Sequence, residues 1–223
     1  MNLLYPKAVI FDWDDTLVDG WPAIHEATKD TLTTFGLEPW TYEQTRANVR
    51  RSMRDSFPEL FGDRWEEAAE HFYTAIRRTH LDFLTPLDGA EALLQQLAAE
   101  GLYLGVVSNK NGDLLRDEAD HLGWTTYFAQ IVGATDAEKD KPDPAPLRMV
   151  LQDFDGDAGP EVWFIGDAVS DVECAKRGGV TAVLICEKEA DSDEFAAFRP
   201  DFAVKNAVEL AKYLDLAKHA VQT

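Results

Sequence analysis

Five short apolar runs punctuate the chain: Ala8 to Phe11, Leu102 to Val107, Ala129 to Gly133, Val162 to Ile165 and Thr181 to Cys186. Each is too short for a helix and is bounded by polar residues or glycine, so each reads as a buried strand. Between them apolar residues recur at spacings of three and four over Ala90 to Glu100, Asp113 to Leu122, Ala145 to Phe154, Val169 to Arg177 and Ala207 to Ala217, which predicts helices. Gly101 and the pair Gly178, Gly179 stand where left-handed caps would end two of them. Strand alternating with helix implies an α/β protein, a Rossmann-like parallel sheet covered on both faces.

One stretch breaks the alternation. From about Val18 to Leu87 only helical segments are legible, near Pro22 to Phe35, Tyr42 to Ser56 and Arg64 to Phe83. The expected organisation is a core of residues 1–17 and 88–223 with an inserted α-helical unit of residues 18–87. Parallel sheets bind ligands outside the carboxyl ends of their strands, so an insertion after the first strand is expected to act as a lid.

Composition narrows the classes. The chain has 223 residues, with 21 Lys plus Arg against 41 Asp plus Glu, a formal charge of −20. That sign opposes holding nucleic acid or anionic lipid by a broad field, so no nucleic acid and no membrane partner is expected, and an anionic ligand must be captured locally. No stretch reaches the roughly 18 apolar residues that span a bilayer, and the first ten residues lack the apolar run of a signal peptide, so a cytoplasmic protein is expected. Cys174 and Cys186 are too few for a disulfide framework and lack the spacing of a zinc site, which leaves two small hydrophobes.

Polar clusters follow four of the strands. Asp12, Asp14, Asp15 and Thr16 come directly after the first. If extended geometry persists, Asp12 and Asp14 share one side and Trp13 takes the other. Two such carboxylates repel unless one keeps a proton or a hard cation such as Mg²⁺ lies between them; a solvated acidic turn is the plainer alternative. Ser108 and Asn109 follow the second strand and offer a hydroxyl and amides to phosphate oxygens, or simply cap a helix. Lys141 lies beyond the third, stiffened by Pro142, with Lys110 and Lys139 as competitors for the role of fixed cation. Gly166 and Asp167 follow the fourth, and Asp171 falls in the first turn of the next helix, as a metal ligand or as a favourable charge at the helix dipole. Strands of one parallel sheet end at one edge, so these groups are expected to converge. Acids, amide donors and a lysine together suit a metal-bound phosphoryl group.

With these four ordered clusters the sequence resembles the haloacid dehalogenase superfamily: Asp12-Trp13-Asp14-Asp15-Thr16-Leu17, Ser108-Asn109, Lys141-Pro142, and Gly166-Asp167 with Asp171. The insertion looks like that family's C1-type helical cap, and the texture is similar to its phosphoglycolate phosphatase-like members. The resemblance implies a Mg²⁺-dependent phosphatase acting on a small phosphorylated metabolite, with phosphoglycolate as a candidate. Asp12 would be the nucleophile that forms an aspartyl-phosphate and Asp14 the general acid and base. Thr16, Ser108, Asn109 and Lys141 would hold phosphate; Asp12, the Asp14 carbonyl, Asp167 and Asp171 would hold Mg²⁺. Asp15 replaces the family's usual glycine, and Asp is among the few residues that tolerate a left-handed turn. Arg46, Arg50 and Arg54 recur every four residues, so on one helix they form a basic stripe that either grips a second anionic group or pairs with nearby acids. A phosphomutase, or a non-catalytic phospho-receiver, are the alternative functions; monomer and homodimer both stay open.

Overall fold

The computed structural model describes residues 4–49, 51–186 and 192–221. In chain order the elements are β1 (Ala8–Phe11), β2 (Val18–Asp19), α1 (Trp21–Thr34), α2 (Tyr42–Asn48), α3 (Met53–Phe61), α4 (Trp65–Ile76), β3 (Thr85–Pro86), α5 (Ala90–Ala99), β4 (Tyr103–Asn111), α6 (Gly112–His121), β5 (Gln130–Ala134), α7 (Ala145–Val150), β6 (Val162–Gly166), α8 (Val169–Gly178), β7 (Thr181–Ile185), β8 (Phe202–Val204) and α9 (Ala207–Val221). The chain forms two compact units: Asp19–Thr85 is one, and the residues on either side of it together make the other. The short strands β2 and β3, which pair with each other, mark the two crossings.

The larger unit is an α/β fold built on a six-stranded sheet of order β5-β4-β1-β6-β7-β8, all its pairings parallel. Every residue of β1, β6 and β7 is buried, as expected of strands covered on both faces. Ala8 and Ile10 of β1 pack with Leu147, Val150, Val162, Phe164 and Val172, while Val9 and Phe11 alternate to the other side. Register brings the site together. Phe11 lies opposite Val106 of β4 and Ile165 of β6, so Asp12 emerges level with Val107 and Gly166, in the middle of the sheet's carboxyl edge.

Two features of this unit depart from the pattern of apolar runs. Strand β4 continues four residues past Val107, through Ser108, Asn109 and Lys110 to Asn111, because the ladder with β5 shifts between Val107 and Asn111 and absorbs extra residues as a bulge. Strand β8 is a three-residue edge, too short to announce itself by periodicity. Helix α7 stops at Val150, and turns carry the chain on through Phe154.

The smaller unit is helical. The expected helix from Tyr42 to Ser56 is broken into α2 and α3, and this corrects the arginine stripe. Thr41 opens α2 with a reciprocal capping box to Gln44, but Val49 leaves helical dihedrals with ψ at 72°, and Ser52, extended at ψ 153°, begins a new helix whose first turn carries Asp55. Arg46 therefore sits on α2 and Arg54 on α3, with no continuous helix to align them; Arg50 lies outside the described residues. Arg46 stacks over the Trp21 ring at 5.0 Å, and Arg51 pairs with Glu59. Among the described residues no helix is long and apolar enough to cross a membrane.

One close approach in the larger unit allows a direct check. A Cβ on Gly133 of β5 would stand 2.4 Å from the Gly112 Cα at the start of α6, and backbone cannot rotate aside. Gly133→Ala is expected to destabilise the fold by about 1–3 kcal/mol in urea unfolding, the usual cost of overpacking. Gly159→Ala, whose added carbon would meet only the Asp157 carbonyl oxygen at 4.0 Å, should leave the midpoint nearly unmoved. Equal midpoints for the two variants would contradict this packing.

Candidate active site

The strand geometry of β1 ends at Phe11, and the next residues turn over the sheet edge. The Asp12 N–H donates to the Ile165 carbonyl at 2.8 Å, tying the turn to β6. Asp15 has φ +60°, the left-handed conformation expected of the residue standing where glycine is usual, and its N–H donates to the Val18 carbonyl. Thr16 is buried beneath this turn, its Oγ1 without a hydrogen-bond partner among the described residues.

Asp12, Asp167 and Asp171 converge. Each places a carboxylate oxygen such that the three lie within 4.8 Å of one another. Lys141, only 2% exposed, places Nζ 2.7 Å from Asp12 Oδ1 and 2.7 Å from Asp171 Oδ1. The second oxygen of Asp171 accepts from the Ala168 N–H at 2.9 Å, so this carboxylate both caps α8 and grips the lysine. That position needs the neighbouring glycine: a Cβ on Gly166 would be 2.4 Å from the Asp171 carboxylate. Burial raises the Asp171 pKa, with Lys141 opposing and Asp12 reinforcing the rise. Burial alone would lower the Lys141 pKa, but Asp12 and Asp171 outweigh it and raise it, so the lysine is a fixed cation.

Lys141 reaches this place from a loop held at both ends. Asp140 accepts from the Thr135 N–H at 2.9 Å, and the Asn109 side chain donates to the Lys141 carbonyl at 3.1 Å. The Asn109 side chain thus ties the lysine loop to β4. Ser108 is buried on the β4 bulge, and its Oγ accepts from the Lys110 N–H at 3.2 Å.

Asp14 is served by a different lysine. Lys110 Nζ lies 2.9 Å from Asp14 Oδ1 and 2.6 Å from Glu118 Oε2, and the same Glu118 oxygen accepts from the Trp13 indole at 2.7 Å. Burial pushes the Asp14 carboxyl well above the usual carboxylate range; Lys110 lowers it and Glu118 and Asp12 raise it. A carboxyl of this kind can carry a proton and give it up under mild conditions. Of the three lysines that compete on sequence grounds, Lys141 and Lys110 therefore meet different carboxylates of the site, while Lys139 pairs with Asp143. Glu118 is the participant that sequence reading missed. Its signal was an acid in the apolar stripe of α6, between Leu115 and Ala119 on the buried face.

The donor set suits a hard divalent cation. Three carboxylates stand against one lysine ammonium at the β1 and β6 ends, and oxygen ligands with excess negative charge are what Mg²⁺ prefers. Both oxygens of Asp171 are already engaged, one by Lys141 Nζ and the other by the Ala168 N–H. Neither Cys174 nor Cys186 takes part in a disulfide, and Cys174 is buried.

A phosphoglycolate phosphatase of Chromobacterium violaceum is 31% identical over 219 residues, covering 94% of this chain and 97% of its own. One from Rhodospirillum rubrum is 33% identical over 195 residues, 81% of this chain and 79% of its own. Among solved structures, a haloacid dehalogenase-like family hydrolase from Streptococcus pneumoniae superposes with a TM-score of 0.81 at 22% identity, over 93% of this chain and 98% of that one, which speaks to the fold. Residues 9–185 match the haloacid dehalogenase-like hydrolase family, a span that runs from β1 to the end of β7 and so takes in every strand that carries the site, and the chain belongs to that family.

Proposed function

We propose that the chain, a phosphomonoesterase of this family, hydrolyses the phosphate monoester of a small metabolite through phosphorylation of Asp12, with Mg²⁺ as cofactor and phosphoglycolate as the foremost candidate ester. The observation that carries this reading is the meeting of Asp12, Asp167 and Asp171 oxygens within 4.8 Å, with Lys141 2.7 Å from the first. The choice of ester rests on the relatives that are phosphoglycolate phosphatases.

A carboxylate attacking a phosphate ester meets an anion and needs cations at the equatorial oxygens. Mg²⁺ held by Asp12 and Asp167, with the Asp14 carbonyl and with Asp171 directly or through water, would supply that neutralising charge. Lys141 adds a fixed positive charge beside the nucleophile. Ser108 and the Asn109 amide donate to the remaining phosphate oxygens, with the buried Thr16 hydroxyl as a further donor. An Asp12 oxygen attacks phosphorus as the bond from phosphorus to the alcohol oxygen breaks, and protonated Asp14 gives its proton to that leaving oxygen. Asp14, now a carboxylate, takes a proton from water; the hydroxide attacks phosphorus, the bond to Asp12 breaks, and inorganic phosphate leaves. In this reading the helical insertion selects the alcohol portion of the ester.

A panel of phosphoglycolate, hexose phosphates, nucleotides and pyrophosphate should yield phosphate release from at least one ester with Mg²⁺, and none with chelator. Release that persists in chelator would remove the metal from the scheme. Asp14→Asn is expected to keep ester binding while turnover falls by roughly 10²- to 10⁴-fold, the usual contribution of a positioned acid and base; undiminished turnover would reject that role. Acid quenching should trap phosphoryl label on the wild-type chain and not on Asp12→Asn. An isomerised sugar phosphate in place of free phosphate would indicate a mutase, and stable label without turnover a receiver.

A further inference from the structure

Trp13 stands between two acids of the site and is fully buried, its ring edge on Trp124. An indole N–H removed from water needs an acceptor, and Glu118 Oε2 provides it at 2.7 Å. Glu118 is itself 1% exposed, so its charge needs a counter-charge, and Lys110 Nζ lies 2.6 Å away. The same ammonium then meets Asp14 Oδ1 at 2.9 Å. Four side chains from the β1 turn, β4 and α6 thus form one buried chain of hydrogen bonds that ends on Asp14.

Stability does not account for this arrangement. The indole requires only an acceptor, which a neutral glutamine would supply, and a buried ion pair is commonly no more stabilising than neutral groups of the same shape. What the charged pair adds is a cation held in one place against Asp14. We propose that Lys110 is a positioning residue for the hydrolytic reaction: anchored by Glu118 and Trp13, its ammonium holds the Asp14 carboxyl group where it gives its proton to the leaving oxygen of the ester. The inference rests on the acid and base role given to Asp14 above and adds the residues that set its place. A charged lysine with three donors can hold two carboxylates at once, which a neutral side chain of similar length cannot.

The test separates positioning from mere neutralisation of Glu118. Lys110→Met leaves Glu118 buried and unneutralised and should lower the melting temperature. The double variant Lys110→Met/Glu118→Gln removes both charges and keeps an acceptor for the indole, so most of the melting temperature should return. Positioning predicts that kcat on the best ester of the panel stays reduced about 10- to 100-fold in the double variant, as for a misplaced reacting group. KM should stay within about twofold, because ground-state binding does not use the Asp14 carboxyl group. Glu118→Gln alone, isosteric with the native side chain, provides a second reading should the double variant fail to fold: kcat falls and KM holds. Recovery of kcat together with melting temperature in the double variant, or an unchanged kcat in Glu118→Gln, would overturn the inference while leaving the phosphatase reading intact. A wild-type chain that releases phosphate from no ester would overturn the phosphatase reading, and this inference with it.

Discussion

The site depends on confining like charges. At the carboxyl ends of β1 and β6, three aspartates bring oxygens within 4.8 Å of one another, an arrangement that repels itself in a partly dry environment. The fold sustains it with a lysine that is almost wholly buried and equidistant from two of the three. Much of the neighbouring structure keeps that lysine in place: the Asn109 amide on its carbonyl, Asp140 on the loop that carries it, and Gly166, whose missing side chain makes room for Asp171.

A second buried ammonium completes the scheme. Lys110 attends Asp14 as Lys141 attends Asp12 and Asp171, so the carboxylate assigned to attack and the one assigned to proton transfer have separate counter-charges. This division matters in a chain of net charge −20, whose outer field repels an anionic ester. Local cations in low-dielectric surroundings act strongly over a few ångströms, whereas the exposed carboxylates are screened by salt.

Four of the five strands were legible as unbroken apolar runs, and β1 was located to the residue; the fifth run is interrupted by Gln130 and belongs to the edge strand β5, which is only partly buried at its start. The polar clusters were legible because a parallel sheet leaves its chemistry at one edge, and the left-handed turn at Asp15 followed from the family resemblance, which has glycine at that place. The arginine pattern misled because i, i+4 spacing has meaning only where the helix is unbroken. Val49 and Ser52 end one helix and start another within that stretch, and such boundary signals are local and weak against a seven- or nine-residue helix. Strand β8 was illegible for a related reason: three residues on an edge carry no period.

By itself the sequence determined the alternating α/β fold and which polar residues follow its strands, since these are properties of local hydrophobic pattern and of residue order. Which lysine meets which carboxylate was decided only in three dimensions. Lys110 sits on a bulge whose position depends on the register of β4 against β5, Glu118 on the inner face of α6, and Lys141 on a loop pinned from β4. Pairings such as Lys110 with Asp14, 96 positions apart, and Lys141 with Asp171, 30 apart, depend on ångström-scale register and packing, and no periodicity along the chain encodes those distances.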